Sequence, residues 1–165
     1  MNLTTQTIKK IEKIKVGEDE MRSYYKDNPE LRTSHVLIEY KPDATSAQID
    51  AARKRAEEIY NNEIKGSKRK FEELVILFTD DSLTKKSGGD VGWQTRLTLV
   101  PSYYNAALKL KEGQVSGLVQ TQFGFHIIKM TGKKTYDEAN KRSIRAAVFD
   151  EKRKKLFDNY FKTVK

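Results

Sequence analysis

The chain has 165 residues, 37% hydrophobic and 33% charged, with no cysteine and a formal net charge of +9. That length supports one core-bearing domain with appendages rather than two full-sized domains, and no run approaches the roughly 18 apolar residues that a bilayer crossing needs. The absence of thiols excludes disulfides, Cys-zinc sites and thiol catalysis.

The opening "MNLTTQTIKKIEKIKV" lacks the continuous apolar centre and cleavage site of a secretory signal, which leaves a cytoplasmic protein or a mature or excised fragment. Within residues 3–15, Ile8, Ile11 and Ile14 recur at near-helical spacing until Gly17 interrupts, predicting a short amphipathic helix with little core of its own. "GEDEMRSYYKDNPE" predicts a second short helix, with acids in its first turn and a stop at Asn28 and Pro29. The period then changes. "RTSHVLIEY" alternates Ser34, Val36, Ile38 and Tyr40 against His35, Leu37 and Glu39, as a strand does. A helix capped by Ser46 and ended by Gly66 follows, with Ile49, Ala52, Ala56, Ile59 and Ile64 on one face. Phe71, Leu74, Val75 and Phe78 mark another helical stretch, and Asp80 to Gly92 has turn composition. Pro101 opens the short helix "PSYYNAALKL"; after a turn at "KEGQVSG" come two strands, "GLVQT" and "GFHIIKMT". From 139 onward, Val148, Phe149, Leu156, Phe157, Tyr160, Phe161 and Val164 form an apolar stripe on a long helix, which Ile8, Ile11 and Ile14 are suited to cover in part.

Eleven basic residues against five acidic from 133 onward place most of the excess charge in this tail. A solvated helix face explains it; attraction to an anionic membrane surface or to acidic clients is the other option. No nucleic-acid motif accompanies it, so no specific nucleic-acid partner is expected. Among the chemistry-bearing residues, His35, His126 and Asp81 make a two-His, one-carboxylate set on paper, but close metal-ligand spacing such as HxxxH or HExxH is absent. No serine or threonine sits in a nucleophile elbow. "SGGDVGW" has neither the Lys-Ser/Thr of a phosphate loop nor GxGxxG order, which favours a structural turn. Neither a metal nor a cofactor is expected.

Four segments fall in a recognisable order: "LRTSHVLIEY", then "FEELVILFTDDSLTKKSGGDVGW", then "ALKLKEGQVSG" leading into "LVQTQFGFHIIKMTGKK". Together they resemble the parvulin family of peptidyl-prolyl cis-trans isomerases over about 31–132. The resemblance implies an α+β fold, a four-stranded antiparallel sheet surrounded by helices, with helical extensions at 1–30 and 133–165. The flanks are similar, more loosely, to those of bacterial extracytoplasmic foldases and chaperones, where helices around the isomerase module form a chaperone module. Unfolded or partly folded proline-containing polypeptides are then the expected partners, in the periplasm or otherwise outside the cytoplasm.

By the same resemblance, His35 and His126 form a hydrogen-bonded pair on neighbouring strands, and Thr121 supplies the supporting hydroxyl. Asp81 occupies the family's Cys-or-Asp position in an electrostatic role; the adjacent Asp80 is the alternative acid, although spacing to "GGD" favours Asp81. Leu99 and Tyr103 match the apolar shelf that receives the proline ring, with Trp93 and Phe123 packing around it. Tyr103 stands where phenylalanine is usual, which implies a hydroxyl at the pocket rim; together with the apolar tail stripe this keeps a second, non-enzymatic possibility open: a client-binding chaperone with a weakly active or inactive domain. The loop "KPDATSAQ" carries Lys41 alone where phosphoserine-directed parvulins have a basic cluster, and no WW-type module precedes the domain.

Overall fold

The computed structural model describes residues 4–163. In chain order they form α1 (Thr5–Glu12), α2 (Glu18–Asp27), β1 (Leu31–Glu39), α3 (Ser46–Ile59), α4 (Phe71–Phe78), β2 (Asp90–Gln94), α5 (Pro101–Leu108), β3 (Val115–Thr121), β4 (Gly124–Lys133) and α6 (Lys141–Thr163). This α+β chain divides into two compact units: Glu30–Lys134, and the chain up to Pro29 together with the chain from Thr135. Among the described residues no helix is long and apolar enough to cross a membrane.

In the Glu30–Lys134 unit the strands run in the order β2-β1-β4-β3, and every neighbouring pair is antiparallel. The central pair is in register from Thr33 opposite Met130 to Glu39 opposite Gly124. Strand alternation then divides the side chains between two faces. Val36, Ile38, Phe125 and Ile127 pack with Ala56 and Ile59 of α3 and with Phe71, Leu74 and Val75 of α4. Ile128 and Met130 meet Tyr103, Tyr104 and Ala107 of α5 in the other cluster.

Local chemistry fixes the element ends. The N-cap of α3 is Thr45, one residue before the expected Ser46: its hydroxyl accepts the Gln48 amide while the Gln48 side chain accepts the Thr45 amide. Beyond Ile59 the helix widens into a π-helical turn at Tyr60–Ile64. The fourth strand, β2, lies partly inside the stretch whose glycine content reads as turn. It is a short edge strand, held by β1 and by Arg32, whose Nη2 and Nε donate to the Asp90 carboxylate at 2.6 and 3.1 Å. At the unit's ends the Lys134 amide donates to the Glu30 carbonyl at 3.1 Å, so that chain entry and exit adjoin.

In the other unit, Met21 and Tyr25 of α2 pack with Ile144 and Val148 of α6 and with Ala139. Burial is therefore concentrated on α2 and the first half of α6. The eight-residue α1 touches α6 but has no buried residue, and Ile8 is 42% exposed. Lys152 on α6 donates to the Lys15 carbonyl at 2.6 Å and pairs with Glu20. Of the tail stripe, Phe161 stays exposed, and Val164 lies outside the described residues.

Candidate active site

His35 lies opposite Ile128 and His126 opposite Leu37, which makes the two histidines diagonal neighbours on one face of the β1–β4 pair. Their Nδ1 atoms are 2.9 Å apart and their rings are inclined by 19°. Both are buried. Beyond the pair, His126 Nε2 is 2.7 Å from the Thr121 hydroxyl at the end of β3, and His35 Nε2 is 2.8 Å from Asp81 Oδ2 in the loop after α4. Thr121, His126, His35 and Asp81 thus form one continuous row.

Proton positions along the row follow from its ends. An ionised carboxylate only accepts, so His35 donates its Nε2 proton to Asp81. With His126 donating from Nδ1 to His35 Nδ1, His126 Nε2 accepts from Thr121, whose oxygen accepts the Phe123 amide at 3.1 Å. Every group is then satisfied with both imidazoles neutral. Burial, followed by the neighbouring His35, pushes His126 down to about 3 against the opposing pull of Asp81. For Asp81, burial works toward protonation, but the bonds from Thr84 and His35 and from the Leu83 amide outweigh it and hold the carboxyl below its ordinary range. All four ring nitrogens are occupied, which leaves none of their lone pairs directed at a metal. Among the described residues no cluster of three or more His, Cys, Asp or Glu side chains is placed to hold one.

Tyr103 enters from α5 with its ring edge-on to His126, centroids 5.2 Å apart, and to His35 at 5.8 Å. Its hydroxyl is not at a pocket rim. The residue is 3% exposed, and the hydroxyl lies 2.7 Å from the Thr33 hydroxyl, because a buried phenol requires a partner and β1 supplies one. Burial pushes this phenol far above its ordinary value, opposed by the Thr33 bond and reinforced by Asp81. Leu99 is half-buried against the same cluster, and Phe123 is 50% exposed in the β3–β4 turn. Trp93 lies elsewhere: its ring packs close to Gly132 and beneath Lys134 Nζ, 4.8 Å from the ring centroid. Trp93 lies opposite Arg32, three residues along β1 from His35, about 10 Å at the usual strand rise, so Trp93 is not brought into contact with the histidine row.

The two adjacent acids separate cleanly. Asp80 takes Arg55 through Nη1 at 2.8 Å and Nη2 at 3.3 Å and accepts the Glu39 amide at 3.0 Å, all structural contacts. Asp81 alone reaches the histidines. Sequence reasoning missed the threonines around them. Thr79 accepts the Leu37 and Asp81 amides at 3.0 and 3.2 Å, and Thr84 donates to Asp81 Oδ2 at 2.6 Å. The Asp-x-x-Thr spacing in "DSLT" was the available signal for Thr84, since side chains three apart in a turn meet. Gly89 was also missed as a site residue. Its φ is +85°, its carbonyl accepts the His35 amide at 3.0 Å, and a Cβ there would lie 2.5 Å from the His35 carbonyl oxygen. A side chain at 89 would therefore displace the strand that carries His35.

Residues 35–132 match the rotamase family, described as the PPIC-type PPIASE domain. The foldase protein PrsA of Geobacillus kaustophilus is 35% identical over 148 residues, which are 88% of this chain and 47% of that protein. PrsA of Bacillus subtilis is 34% identical over 152 residues, 91% of this chain and 47% of that one. The chain thus spans about half the length of these curated relatives. The crystal structure of the peptidylprolyl isomerase PrsA from Bacillus anthracis is 34% identical, with a TM-score of 0.56 over 95% of this chain and 68% of that one. Its counterpart from Bacillus cereus is 27% identical, with a TM-score of 0.64 over 96% and 57%.

Proposed function

Because the chain belongs to the PPIC-type peptidyl-prolyl isomerases, the parvulins, we propose that it rotates X-Pro bonds in unfolded or partly folded polypeptides exported from the cytoplasm. The foldase names of its relatives support a role in the folding of polypeptides. Rotation meets a barrier of about 18–20 kcal/mol because the C–N bond is partly double, and uncatalysed X-Pro exchange takes tens to hundreds of seconds. No bond breaks and no atom is transferred. The site has only to hold the proline, exclude water from the amide and favour the twisted state in which conjugation is lost. An acceleration of about four decades corresponds to roughly 5.5 kcal/mol, within reach of a few fixed dipoles in a poorly solvated site.

In this reading Asp81, His35 and His126 are the catalytic polar groups, Thr121 orients His126, and Leu99, Tyr103 and Phe123 give the proline ring its apolar contacts. The row supplies a fixed field at the rotating amide and transfers no proton. The observation that carries the proposal is the row itself: four side chains linked at 2.7–2.9 Å, with the Tyr103 ring edge-on to it. The non-enzymatic alternative loses one of the two features that favoured it, since the Tyr103 hydroxyl is bonded to Thr33.

A protease-coupled assay on a proline tetrapeptide tests the proposal. Turnover above buffer is expected, with Asp81→Asn and His126→Gln each lowering kcat/KM by at least about tenfold while melting within a few degrees of the parent. A parent protein that leaves the exchange rate at its buffer value sinks the enzymatic proposal; unchanged turnover in both variants sinks the site assignment.

A further inference from the structure

The Asp81 carboxylate is held from three directions. Its Oδ2 accepts from His35 Nε2 at 2.8 Å and from the Thr84 hydroxyl at 2.6 Å, and its Oδ1 accepts the Leu83 amide at 3.2 Å. Thr84 supplies the shortest of these bonds. Its backbone is fixed independently of its hydroxyl: the carbonyl accepts the Ser87 amide at 3.0 Å and the Gly89 amide at 2.9 Å. The β-hydroxyl is therefore presented from a closed turn, while the carboxylate it meets still has 15% of its side chain open to solvent.

We propose that Thr84 is a positioning residue for the isomerase site, acting through Asp81 to fix the proton order of the whole histidine row. This rests on the assignment of Asp81 given above. A hydroxyl has one proton, and beside an ionised carboxylate it donates. Once Thr84 holds Oδ2, rotation of the carboxylate about Cβ–Cγ is blocked and Oδ2 stays where His35 Nε2–H reaches it. That bond keeps the His35 proton on Nε2 and leaves Nδ1 as the acceptor. His126 must then donate from Nδ1, and its Nε2 must accept from Thr121. A side chain that touches neither histidine thereby selects one tautomer for each. Without the Thr84 hydroxyl the carboxylate keeps only the His35 bond and the longer Leu83 bond, and the anchored end of the row is loosened. The same bond is among the contacts that keep Asp81 ionised. The groups that face this carboxylate are His35 from β1, His126 from β4 and Tyr103 from α5; Asp80, next in the chain, is neutralised by Arg55.

Thr84→Val keeps shape and removes the hydroxyl, whereas Thr84→Ser keeps the hydroxyl and removes a methyl. Expected for Thr84→Val is a fall in kcat/KM of about tenfold, the scale of one charge-assisted hydrogen bond, carried by kcat with KM unchanged. The acidic limb of its pH–rate profile moves to higher pH, and the ring-nitrogen NMR shifts of His35 and His126 move toward mixed tautomers. Thr84→Ser restores rate, profile and shifts to within about twofold of the parent, a margin below a single bond. Thr84→Ala repeats the loss if valine disturbs the turn. Thr84→Val and Thr84→Ala with parental kcat, profile and ring shifts overturn the proposal, as does a Thr84→Ser variant as slow as Thr84→Val. Asp81→Asn run alongside separates the two layers: if it is slow and the hydroxyl-free variants are fast, only the role of Thr84 falls. If Asp81→Asn is itself as fast as the parent, the role of Asp81 falls and that of Thr84 with it.

Discussion

A proton added to His126 goes to Nε2, since Nδ1 already donates to His35, and the Thr121 hydroxyl must then turn its own proton away and accept a second bond beside the Phe123 amide. The unfolded chain binds this proton near pH 6.5, whereas the folded chain resists it down to about 3. Protonation therefore favours unfolding. The contribution is complete above about pH 6.5 and declines as pH falls toward 3, at about 1.4 kcal/mol for each unit of separation. Asp81, also displaced downward, adds to the loss only below the ordinary carboxylate range, near pH 4. Between pH 7 and pH 4.5 the parent should lose about 2–3 kcal/mol that His126→Gln does not. Thermal melts at the two pH values check it, and parallel declines in both proteins count against a neutral buried His126. At this scale the sequence was informative about residue type and poor about partner. "TDDS" does not show which acid turns toward the histidines, because Arg55 and the Glu39 amide, which take Asp80, reach it only through tertiary packing. The orientation of Tyr103 was hidden for the same reason: Thr33 lies 70 positions away.

Elements with a clear period were legible. The apolar faces of α3 and α4 are buried as their spacing implies, whereas β1 and β4 are covered on both faces, so the alternation in β1 marked a strand without marking a solvent side. β2 was not legible, since a five-residue edge strand flanked by Gly89 and interrupted by Gly92 has too few alternating side chains to show a period. Its placement depends on β1, which supplies both the hydrogen-bonding edge and the Arg32 side chain that holds Asp90. Just before β2, Gly89 reports on how tightly this loop is joined to the site. Gly89→Ala combines a φ of +85° with a Cβ 2.5 Å from a carbonyl oxygen. A loss of about 2 kcal/mol or more is expected, with turnover falling beyond what the unfolded fraction explains, because His35 moves with its strand. Melting and the proline-peptide assay, both run well below the melting temperature, separate these effects. Full activity of a folded Gly89→Ala protein contradicts the role given to the close approach.

The histidine pair joins residues 91 positions apart, so no local pattern contains it; the site exists only once β1 and β4 have paired. Everything in the row nevertheless lies within Glu30–Lys134, which has its own two apolar clusters. A protein cut to residues 30–134 is therefore expected to melt cooperatively and to keep kcat/KM within about threefold of the full chain, a change under 1 kcal/mol. A cut protein that is folded but inactive implies that the terminal helices contribute to chemistry, and an unfolded one implies that the two clusters do not suffice.

The bond from the Lys134 amide to the Glu30 carbonyl has a consequence for how this segment can be handled and how it can be inherited. A chain whose two ends already adjoin behaves topologically as a closed loop with a removable clasp. Its ends can be ligated into a ring, or reopened at an exposed turn such as that around Gly113, without unthreading any strand. By the same geometry the segment can be inserted into a surface loop of an unrelated host, whose own chain need be parted by no more than one interstrand gap.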